Sequence, residues 1–362
     1  MNQHFSGSYA QEDVQFLLKV IDIPTVDITE KERRIQQASA HYSELISKES
    51  APTAAYLALY EKAMAENGPR MARDVLALAA HLDRTHVAGE PITLVSLARA
   101  GTPVGVLLKR TLTEQFGRAV SHYSVSIIRD RGIDSEALNY ILERHRDTSI
   151  AFIDGWTGKG VISEELAKAV QALNHRHGLA IDESLYVLSD LAGVAGYSPS
   201  FDDYLIPSSI LNATVSGLVS RTVLNSQYIG PGDFHGCLYY SEFQSIDLSR
   251  NFVDTIFTHV LATAVPAELD AAAVKAQAKQ TNTDFIESMM QRTGSTNRNY
   301  VKPGVGESTR VLLRRVPDCL FLQDVSAPST QHLVTLANEK LVPIIEDRTM
   351  PYKATAIIKI LD

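Results

Sequence analysis

The residues of this chain best suited to bind an anion lie in the stretch IAFIDGWTGKG, residues 150–160. It begins as an apolar strand and continues into a glycine-rich loop with one carboxylate, Asp154. The loop also supplies glycines, a hydroxyl group and an ammonium group, at Gly155, Thr157, Gly158, Lys159 and Gly160. Glycines let the backbone approach a ligand closely, so successive amide N–H groups can converge on phosphate oxygens before a helix begins. The stretch therefore predicts a phosphate-binding loop.

Two familiar phosphate-binding motifs do not fit this loop. A Walker A loop needs four residues between its first glycine and the Gly-Lys pair, with Ser or Thr after the lysine. Here two residues separate Gly155 from Gly158, and Gly160 follows Lys159. The loop also lacks the G-x-G-x-x-G spacing of a dinucleotide-binding loop. A tight turn that binds no ligand remains the alternative.

Arginines follow two other predicted strands. The run ITLVSLA leads into Arg99 and Gly101, and the run YSVSIIRDR carries Arg129 and Arg131. Because parallel strands end at the same edge of a sheet, we expect these loops to meet the glycine loop at one rim. Arginines on such a rim suit an anionic ligand. For the second run, a solvated loop with local ion pairs remains the alternative.

The elements that position these loops follow from the periodicity of the apolar residues. Short apolar runs, ITLVSLA, YSVSIIR, SIAFID and SLYVLSD, alternate with helical patterns over 103–116, 134–145 and 161–176. This alternation predicts βα units, and hence an α/β fold with a parallel sheet covered by helices.

The chain divides into three predicted parts. Residues 1–90 show helical spacing and predict a helical N-terminal extension. Residues 91–295 contain the βα units, followed by an irregular capping region. Residues 301–362 restart a small alternating α/β unit whose first helix begins near Thr309.

The loops together resemble those of a type I phosphoribosyltransferase, which has a Rossmann-like parallel sheet. The resemblance implies that ARAGTP binds pyrophosphate through Arg99, Ala100, Gly101 and Thr102. It implies that Asp154 binds ribose hydroxyls or a magnesium ion, while the rest of FIDGWTGKG holds the 5′-phosphate. Arg129 and Arg131 would neutralise the leaving group. The implied substrate is phosphoribosyl pyrophosphate, with Mg²⁺ as cofactor.

More narrowly, the chain resembles phosphoribosyltransferases of bacterial tellurite-resistance and stress-response operons, which carry a carboxyl-terminal pelota-type RNA-binding domain. The supporting stretches are DDYLIPSS, SGLVSRTVLN and GVGESTRVLLRRVP. The resemblance implies transfer of phosphoribose to or from a base or nucleoside-like acceptor. Because the family's loop has two adjacent acidic residues and this one has Ile153 before Asp154, a non-catalytic, nucleotide-sensing RNA-binding protein is the alternative.

Two further stretches are candidates for binding the acceptor. Asp202 and Asp203 lie beside aromatic residues, which would let them contact a base or act as a general base. Arg221 follows serines and a glycine that suit a second anion. A polar loop with a helix cap accounts for the first stretch better than a binding role does, and a helix start accounts for the second stretch equally well.

The last part of the chain has its own candidate site in GVGESTRVLLRR. Gly306, Glu307, Thr309 and Arg310 precede or begin an apolar helix, where free amides can receive a phosphate and Glu307 can accept from a base. The arrangement resembles the kink-turn recognition loop of the pelota and large-ribosomal-subunit protein superfamily. It predicts binding of structured RNA, with a capped helix that only docks on the sheet domain as the alternative.

The cysteines raise another class of function. Cys237 lies two residues after His235, which suggests a cysteine protease with a thiol activated by imidazole. No third orienting group is evident, and a buried structural cysteine is the alternative. Cys237 and Cys319 are the only cysteines, so a secreted disulfide framework is excluded.

The net charge and the hydropathy of the chain limit the kinds of partner that it can have. A net charge of −8 argues against bulk wrapping of nucleic acid or an anionic membrane, although a focal basic site can still bind RNA. No apolar run approaches the roughly 20 residues needed to cross a bilayer. We therefore expect a cytoplasmic protein without membrane contact, and the sequence leaves a homo-oligomer open.

Overall fold

The computed structural model describes residues 5–269 and 271–361. Within these residues the helices are α1 (Ile28–Gln36), α2 (Ala54–Thr85), α3 (Gly101–Phe116), α4 (Ser135–Leu142), α5 (Val161–His177), α6 (Ser249–Leu261), α7 (Ala272–Thr293), α8 (Val305–Arg314) and α9 (Gln331–Glu339). The strands are β1 (Gln15–Phe16), β2 (Lys19–Val20), β3 (Ile92–Leu97), β4 (Val120–Val125), β5 (Ile127–Ile128), β6 (Gly132–Ile133), β7 (Ile150–Ile153), β8 (Trp156–Thr157), β9 (Leu185–Tyr186), β10 (Ser189–Asp190), β11 (Gly236–Cys237), β12 (Val301–Pro303), β13 (Pro317–Leu322), β14 (Ile344–Glu346) and β15 (Ala354–Ile358).

The central sheet has five parallel strands in the order β1, β4, β3, β7 and β9. Every residue of β3 is buried, as expected for a strand covered on both faces. The predicted α/β class with a parallel sheet is confirmed. The fifth strand, β1, was not predicted because two residues carry no period that a sequence pattern could reveal.

The strand order places a binding crevice between β3 and β7. From β3 the chain adds β4 on one side and β7 on the other, and ligands of open α/β sheets bind where the order reverses in this way. The loops after the two strands touch there, because a Cβ atom on Gly101 would lie 2.4 Å from the Ile153 carbonyl oxygen. The parallel sheet thus brings the loops after β3 and β7 together.

The N-terminal region departs from the helical prediction. Asp27 caps α1 by accepting from the backbone N–H of Thr29 at 2.8 Å, but α1 ends at Gln36 and the chain turns at Ala38, where φ is 53°. The helical spacing of the sequence continues to about residue 49, so the pattern alone overstates this helix. By contrast, α2 extends as one helix to Thr85.

The carboxyl-terminal part forms a four-stranded mixed sheet in the order β12, β15, β13 and β14, with α8 and α9 packed on it. Its core is continuous with that of the sheet domain, since one buried apolar cluster includes Ile153 and Leu188 as well as Val305 and Leu312. The domain boundaries assigned from the sequence stay a prediction. Among the residues described, no helix is both long and apolar enough to cross a membrane.

Candidate ligand-binding cavity

A cavity of about 330 Å³ lies where the loop after β7 faces α1 and α8, a size typical of small-ligand sites. Cationic side chains outnumber carboxylates in its lining by eight to three. The cations are Lys31, Arg129, Lys159, Arg221, Lys302, Arg310, Arg314 and Arg315. The carboxylates are Glu32, Asp154 and Glu307. We call this site the cationic cavity.

The glycine loop reaches the cavity because its glycines allow close packing. Gly160 has a φ of 80° and precedes the first turn of α5. A Cβ atom on Gly158 would lie 2.9 Å from Cγ of Glu307 on α8. The Thr157 hydroxyl hydrogen is not available to a ligand, since this hydroxyl donates to Asp190 Oδ1 at 2.5 Å. The loop therefore joins the two domains as well as lining the cavity.

Burial shifts the ionisation of two residues of this loop. Asp154 Oδ1 accepts from the Gly155 backbone N–H at 2.8 Å, and burial raises the pKa of Asp154 to about 6. The Lys159 ammonium group donates to the Arg298 carbonyl oxygen at 2.7 Å. Burial, with a smaller effect of the Lys302 charge, lowers the pKa of Lys159 to about 6. A nearby anion would restore the charge of this lysine.

On α8, Glu307 and Arg310 form an ion pair with 3.0 Å between Oε1 and Nη1. Burial alone would raise the pKa of Glu307, but the charges of Arg310 and Lys302 outweigh it and hold this pKa at about 2. The Arg310 guanidinium group also stacks over Trp156, 4.3 Å from the ring centre. Gly306 makes that packing feasible, because a Cβ atom there would lie 2.6 Å from the indole ring.

The helix α1 closes another side of the cavity. Glu32 is fully buried and accepts from both Nε and Nη2 of Arg315. Lys31 donates to the Arg314 carbonyl oxygen at 3.3 Å, and burial lowers the pKa of Lys31 to about 8. These contacts tie an N-terminal helix to the carboxyl-terminal domain across the cavity.

The structure brings about half of the predicted site residues to the cavity. Those that line it are Arg129, Asp154, Thr157, Gly158, Lys159, Gly160, Arg221, Glu307 and Arg310. Those outside its lining are Arg99, Ala100, Gly101, Thr102, Arg131, Gly155, Asp202, Asp203, Gly306 and Thr309.

The expected pyrophosphate loop uses its polar groups within the protein. Arg99 donates to Glu49 Oε1 and to the Val219 carbonyl oxygen, each at 2.5 Å, and is 5% exposed. The Thr102 hydroxyl is fully buried, 2.7 Å from the hydroxyl of Ser124. The arginine-rich pattern that predicted an anion site here thus belongs to a structural ion pair. Arg131 extends outward, with 52% of its side chain exposed.

The predicted acceptor residues have separate roles. Asp202 is 74% exposed and pairs with Arg70 at 2.8 Å. Asp203 is partly buried, and its two carboxylate oxygens accept from the backbone N–H groups of Val305 and Lys353, each at 2.8 Å. Asp203 therefore joins the sheet domain to the carboxyl-terminal domain rather than facing the cavity.

In the carboxyl-terminal domain, Thr309 does not face a ligand. Its hydroxyl is buried and donates to the Val305 carbonyl oxygen at 2.7 Å. The same hydroxyl oxygen lies 2.8 Å from Nε2 of His332, within hydrogen-bonding distance. Sequence reasoning also missed three charged residues of the cavity, Lys31, Glu32 and Lys302. They lie in a charged helix and beside a polar stretch, where surface exposure is the ordinary expectation, so the sequence held no signal for them.

The Mg²⁺ prediction was made for Asp154. Among the described residues, no group of three or more His, Cys, Asp or Glu side chains is arranged to hold a metal ion. Asp154 offers one carboxylate, and Mg²⁺ commonly completes its octahedral shell with water and ligand phosphates. Magnesium binding stays a prediction.

Neither thiol has the surroundings of a nucleophile. Cys237 on β11 is fully buried, and burial raises the pKa of its thiol to about 12. The neighbouring imidazole of His235 lies with Nδ1 2.8 Å from the Ser126 hydroxyl. Cys319 is partly exposed, yet burial together with Asp318 raises the pKa of its thiol to about 11. Activated cysteines have lowered pKa values.

Comparison with known proteins gives two family matches. Residues 7–257 match the family described as "Tellurite-like stress resistance cysteine protease StiP". Residues 280–360 match the "PELOTA RNA binding domain". A curated protein of Acinetobacter baylyi, "Cysteine protease StiP", is 40% identical over 374 residues, covering 99% of this chain and 95% of that protein.

Solved structures are much less similar. One titled "Analysis of an invariant aspartic acid in HPRTs-asparagine mutant" is 14% identical with a TM-score of 0.26, covering 37% of this chain and 74% of its own. A sphingosine-1-phosphate lyase of Burkholderia pseudomallei is 9% identical with a TM-score of 0.23, and the match covers 79% of this chain and 69% of the lyase chain. Neither similarity is high enough to support an argument about fold or function.

These comparisons correct the functional prediction. The predicted phosphoribosyltransferase is wrong, because the description of the matching family and that of the curated relative both read cysteine protease. The same findings overturn phosphoribosyl pyrophosphate as the substrate and a base or nucleoside-like compound as its acceptor. The predicted carboxyl-terminal pelota-type domain is confirmed.

Proposed function

The chain belongs to the StiP family, and from that premise we propose that it binds RNA, with phosphate groups of the RNA held in the cationic cavity. The observation that carries this proposal is the eight-to-three excess of cations over carboxylates in one cavity. The excess stands out because the whole chain has a net charge of −8. A focal cationic site is what a phosphate backbone requires.

The match to an RNA-binding domain supports the choice of RNA. Cations of the cavity that lie within that match are Lys302, Arg310, Arg314 and Arg315. The remaining cations come from α1, the sheet domain and its loops, so an RNA phosphate would contact both domains at once. Phosphate contacts of this kind position RNA without reading its sequence.

Unbalanced charge inside the cavity also supports an anionic ligand. Burial lowers the pKa of Lys302, and it lowers that of Arg221 to about 10. One guanidinium nitrogen of Arg221, Nη2, is buried without a hydrogen-bond partner among the described residues. Guanidinium groups bind phosphate oxygens in pairs of charge-assisted hydrogen bonds. A bound phosphate would therefore satisfy groups that the protein leaves unpaired.

Fluorescence anisotropy with a fluorescein-labelled RNA hairpin, measured over a series of salt concentrations, tests the proposal. Lys302→Met should weaken binding about 5–10-fold and reduce the slope of log K against log salt by about 1. Arg348→Gln is the matched control, because Arg348 lies in the same domain but is 78% exposed outside the cavity. Absence of binding by folded wild-type protein at low salt would overturn the proposal.

A second candidate function is thiol-dependent peptide hydrolysis, which the description of the family and of its 40% identical relative favours. Attack by Cys237 requires its thiolate, whereas burial raises the pKa of that thiol to about 12. Catalysis by this cysteine would thus require strand β11 to open and expose the sulfur to a base.

A casein hydrolysis assay with Cys237→Ala and Cys319→Ala tests this candidate. Loss of hydrolysis in Cys237→Ala, with Cys319→Ala unaffected, would support Cys237 as the nucleophile. Equal activity of both variants and wild type would exclude a cysteine nucleophile, since the chain has two cysteines. Iodoacetamide modification followed by mass spectrometry would show which thiol is accessible.

We also infer a finer architecture and a location. The order β4, β3, β7 and β9 supports a Rossmann-like sheet of the type I phosphoribosyltransferase kind, as an inference about fold and not about activity. An experimental structure with another strand order would contradict it.

The two free cysteines support a reducing, cytoplasmic location, which fractionation of cells would test.

A further inference from the structure

A second cavity of about 250 Å³ lies next to the cationic cavity. The two cavities share three cationic residues, Lys31, Arg221 and Arg314, which stand at their boundary. Most of the remaining wall of the second cavity comes from the segment before α2, residues 210–214 and the end of α9, and Ile28, Phe243 and Leu313 also contribute to it. A ligand could therefore place a charged group at the boundary and extend a second group into this space.

The wall of the second cavity is largely apolar. Its large side chains include Ile46, Tyr56, Leu211, Phe243, Leu313 and Leu336. Two carboxylates also line this cavity: that of Glu49 is paired with Arg99 at 2.5 Å, and that of Glu339 lies at the end of α9. An apolar group would thus be transferred from water into apolar surroundings without displacing a charge from its partner.

Polar groups in this wall are left without partners. Ser47 Oγ, Tyr56 Oη and Arg221 Nη2 are buried and make no hydrogen bond to any described residue. All three are donors, and buried donors are normally satisfied by protein, water or ligand. Their presence around one cavity indicates a ligand whose edge carries hydrogen-bond acceptors.

We propose that the second cavity binds the ring of an aromatic organic anion whose charged group lies against Lys31, Arg221 and Arg314. The ring fills the apolar space between Tyr56 and Phe243, and acceptors on its edge receive hydrogen bonds from the unpartnered hydroxyl groups. This inference rests on the proposed function, because the charged group uses cations that also line the cationic cavity. A nucleotide of RNA and a free aryl phosphate share this chemistry.

Calorimetric titration with phenylphosphonate and methylphosphonate tests the inference, since the two probes carry the same charged group and differ by the ring. Phenylphosphonate should bind at least about tenfold more tightly, because burial of its ring adds to binding. Ala51→Trp should abolish the difference while leaving methylphosphonate binding unchanged. Ala51 lines the second cavity from an exposed loop position, so an indole there can fill the cavity without disturbing the core.

The matched control is Val265→Trp, which adds an indole at a position that is 52% exposed and outside both cavities. Equal binding of the two probes by wild type overturns the inference but leaves the proposed function standing. A ring preference that persists in Ala51→Trp also overturns it. Binding of neither probe overturns the inference together with the role of the cationic cavity as an anion site.

Competition between phenylphosphonate and the labelled RNA hairpin distinguishes the two sources of the ring. Displacement of the hairpin by phenylphosphonate, but not by methylphosphonate at equal concentration, indicates that an RNA base occupies the second cavity. Simultaneous binding of phenylphosphonate and RNA indicates a free aryl anion as the ligand. Either result supports the cavity as a site for an aromatic ring.

Discussion

At the scale of single residues, burial decides the chemistry of the cationic cavity. Lys159 and Asp154 face the same cavity, and burial moves both pKa values to about 6 from opposite directions. Glu307 is partly buried, yet its cationic neighbours hold its pKa at about 2. The charge of the cavity therefore changes near pH 6 through Lys159 and Asp154 and near pH 8 through Lys31, whose pKa burial lowers to about 8, while Glu307 stays ionised.

Sulfate binding should weaken as the pH rises from 6 to 8. Above pH 6 the free protein loses the proton of Lys159 and Asp154 becomes negative, and both changes oppose an anion. Sulfate has no proton of its own to lose in this range, so the protein alone sets the dependence. The expected loss of affinity in calorimetric titrations is about tenfold or more over these two units.

Lys159→Met should bind sulfate more weakly at pH 6 and show a shallower dependence on pH. The residual dependence would belong to Asp154 and, near pH 8, to Lys31. In the double variant with Asp154→Asn, only the contribution of Lys31 near pH 8 should remain. Lys168→Met, an exposed position on α5, is the control and should behave as wild type. A pH dependence unchanged in Lys159→Met would contradict the assignment.

At the scale of elements, close backbone approach joins the glycine loop to α8. A Cβ atom added at Gly306 would lie 2.6 Å from the Trp156 ring, and one added at Gly158 would lie 2.9 Å from Glu307. A glycine-rich pattern that predicts phosphate binding can therefore also serve to pack two elements together. In this loop the second role is visible in the contacts.

Gly306→Ala should destabilise the protein by about 1–3 kcal/mol, because the added methyl group overlaps the indole of Trp156. Trp156 is the only tryptophan of the chain, so its fluorescence reports the displacement during thermal or urea unfolding. Gly155→Ala is the matched control from the same loop, since a Cβ atom there meets its nearest neighbour at 3.6 Å. Equal unfolding midpoints for the two variants would contradict this packing.

At the scale of the whole molecule, two carboxylates are among the groups that join the carboxyl-terminal domain to the rest. Asp203 accepts from two backbone N–H groups of that domain, and Glu32 on α1 pairs with Arg315. Glu32 is fully buried and Asp203 is partly buried, and an unpaired partner is costly in such surroundings. The cationic cavity lies between these contacts, so its shape depends on how the domains dock.

Asp203→Asn should loosen the carboxyl-terminal domain. An amide can accept only one of the two hydrogen bonds and presents its NH₂ group to the other donor, at a cost of about 1–3 kcal/mol. Hydrogen exchange measured by mass spectrometry should increase over α8 and β15, which supply or adjoin the donors of these bonds. Asp202→Asn, at the adjacent exposed position, should leave exchange unchanged.

The sequence by itself determined the α/β class, the parallel strands β3, β4, β7 and β9, and the glycine loop at the rim, because apolar period and glycine placement are local signals. It also predicted the carboxyl-terminal α/β unit. It did not determine the activity, since a loop rich in glycine and charge is compatible with several chemistries. The family comparison corrected that prediction.

Only the tertiary structure decided which charges share the cavity. Arg99 and Arg129 follow similar strands, yet Arg99 is paired with Glu49 and Arg129 lines the cavity. Lys31 and Lys302 come from distant parts of the chain and meet there through the docking of α1 and the carboxyl-terminal domain. Long-range contacts produce no periodic pattern in the sequence. They determine which side chains are buried, and burial in turn sets the ion-pair partners and the pKa of each charged group.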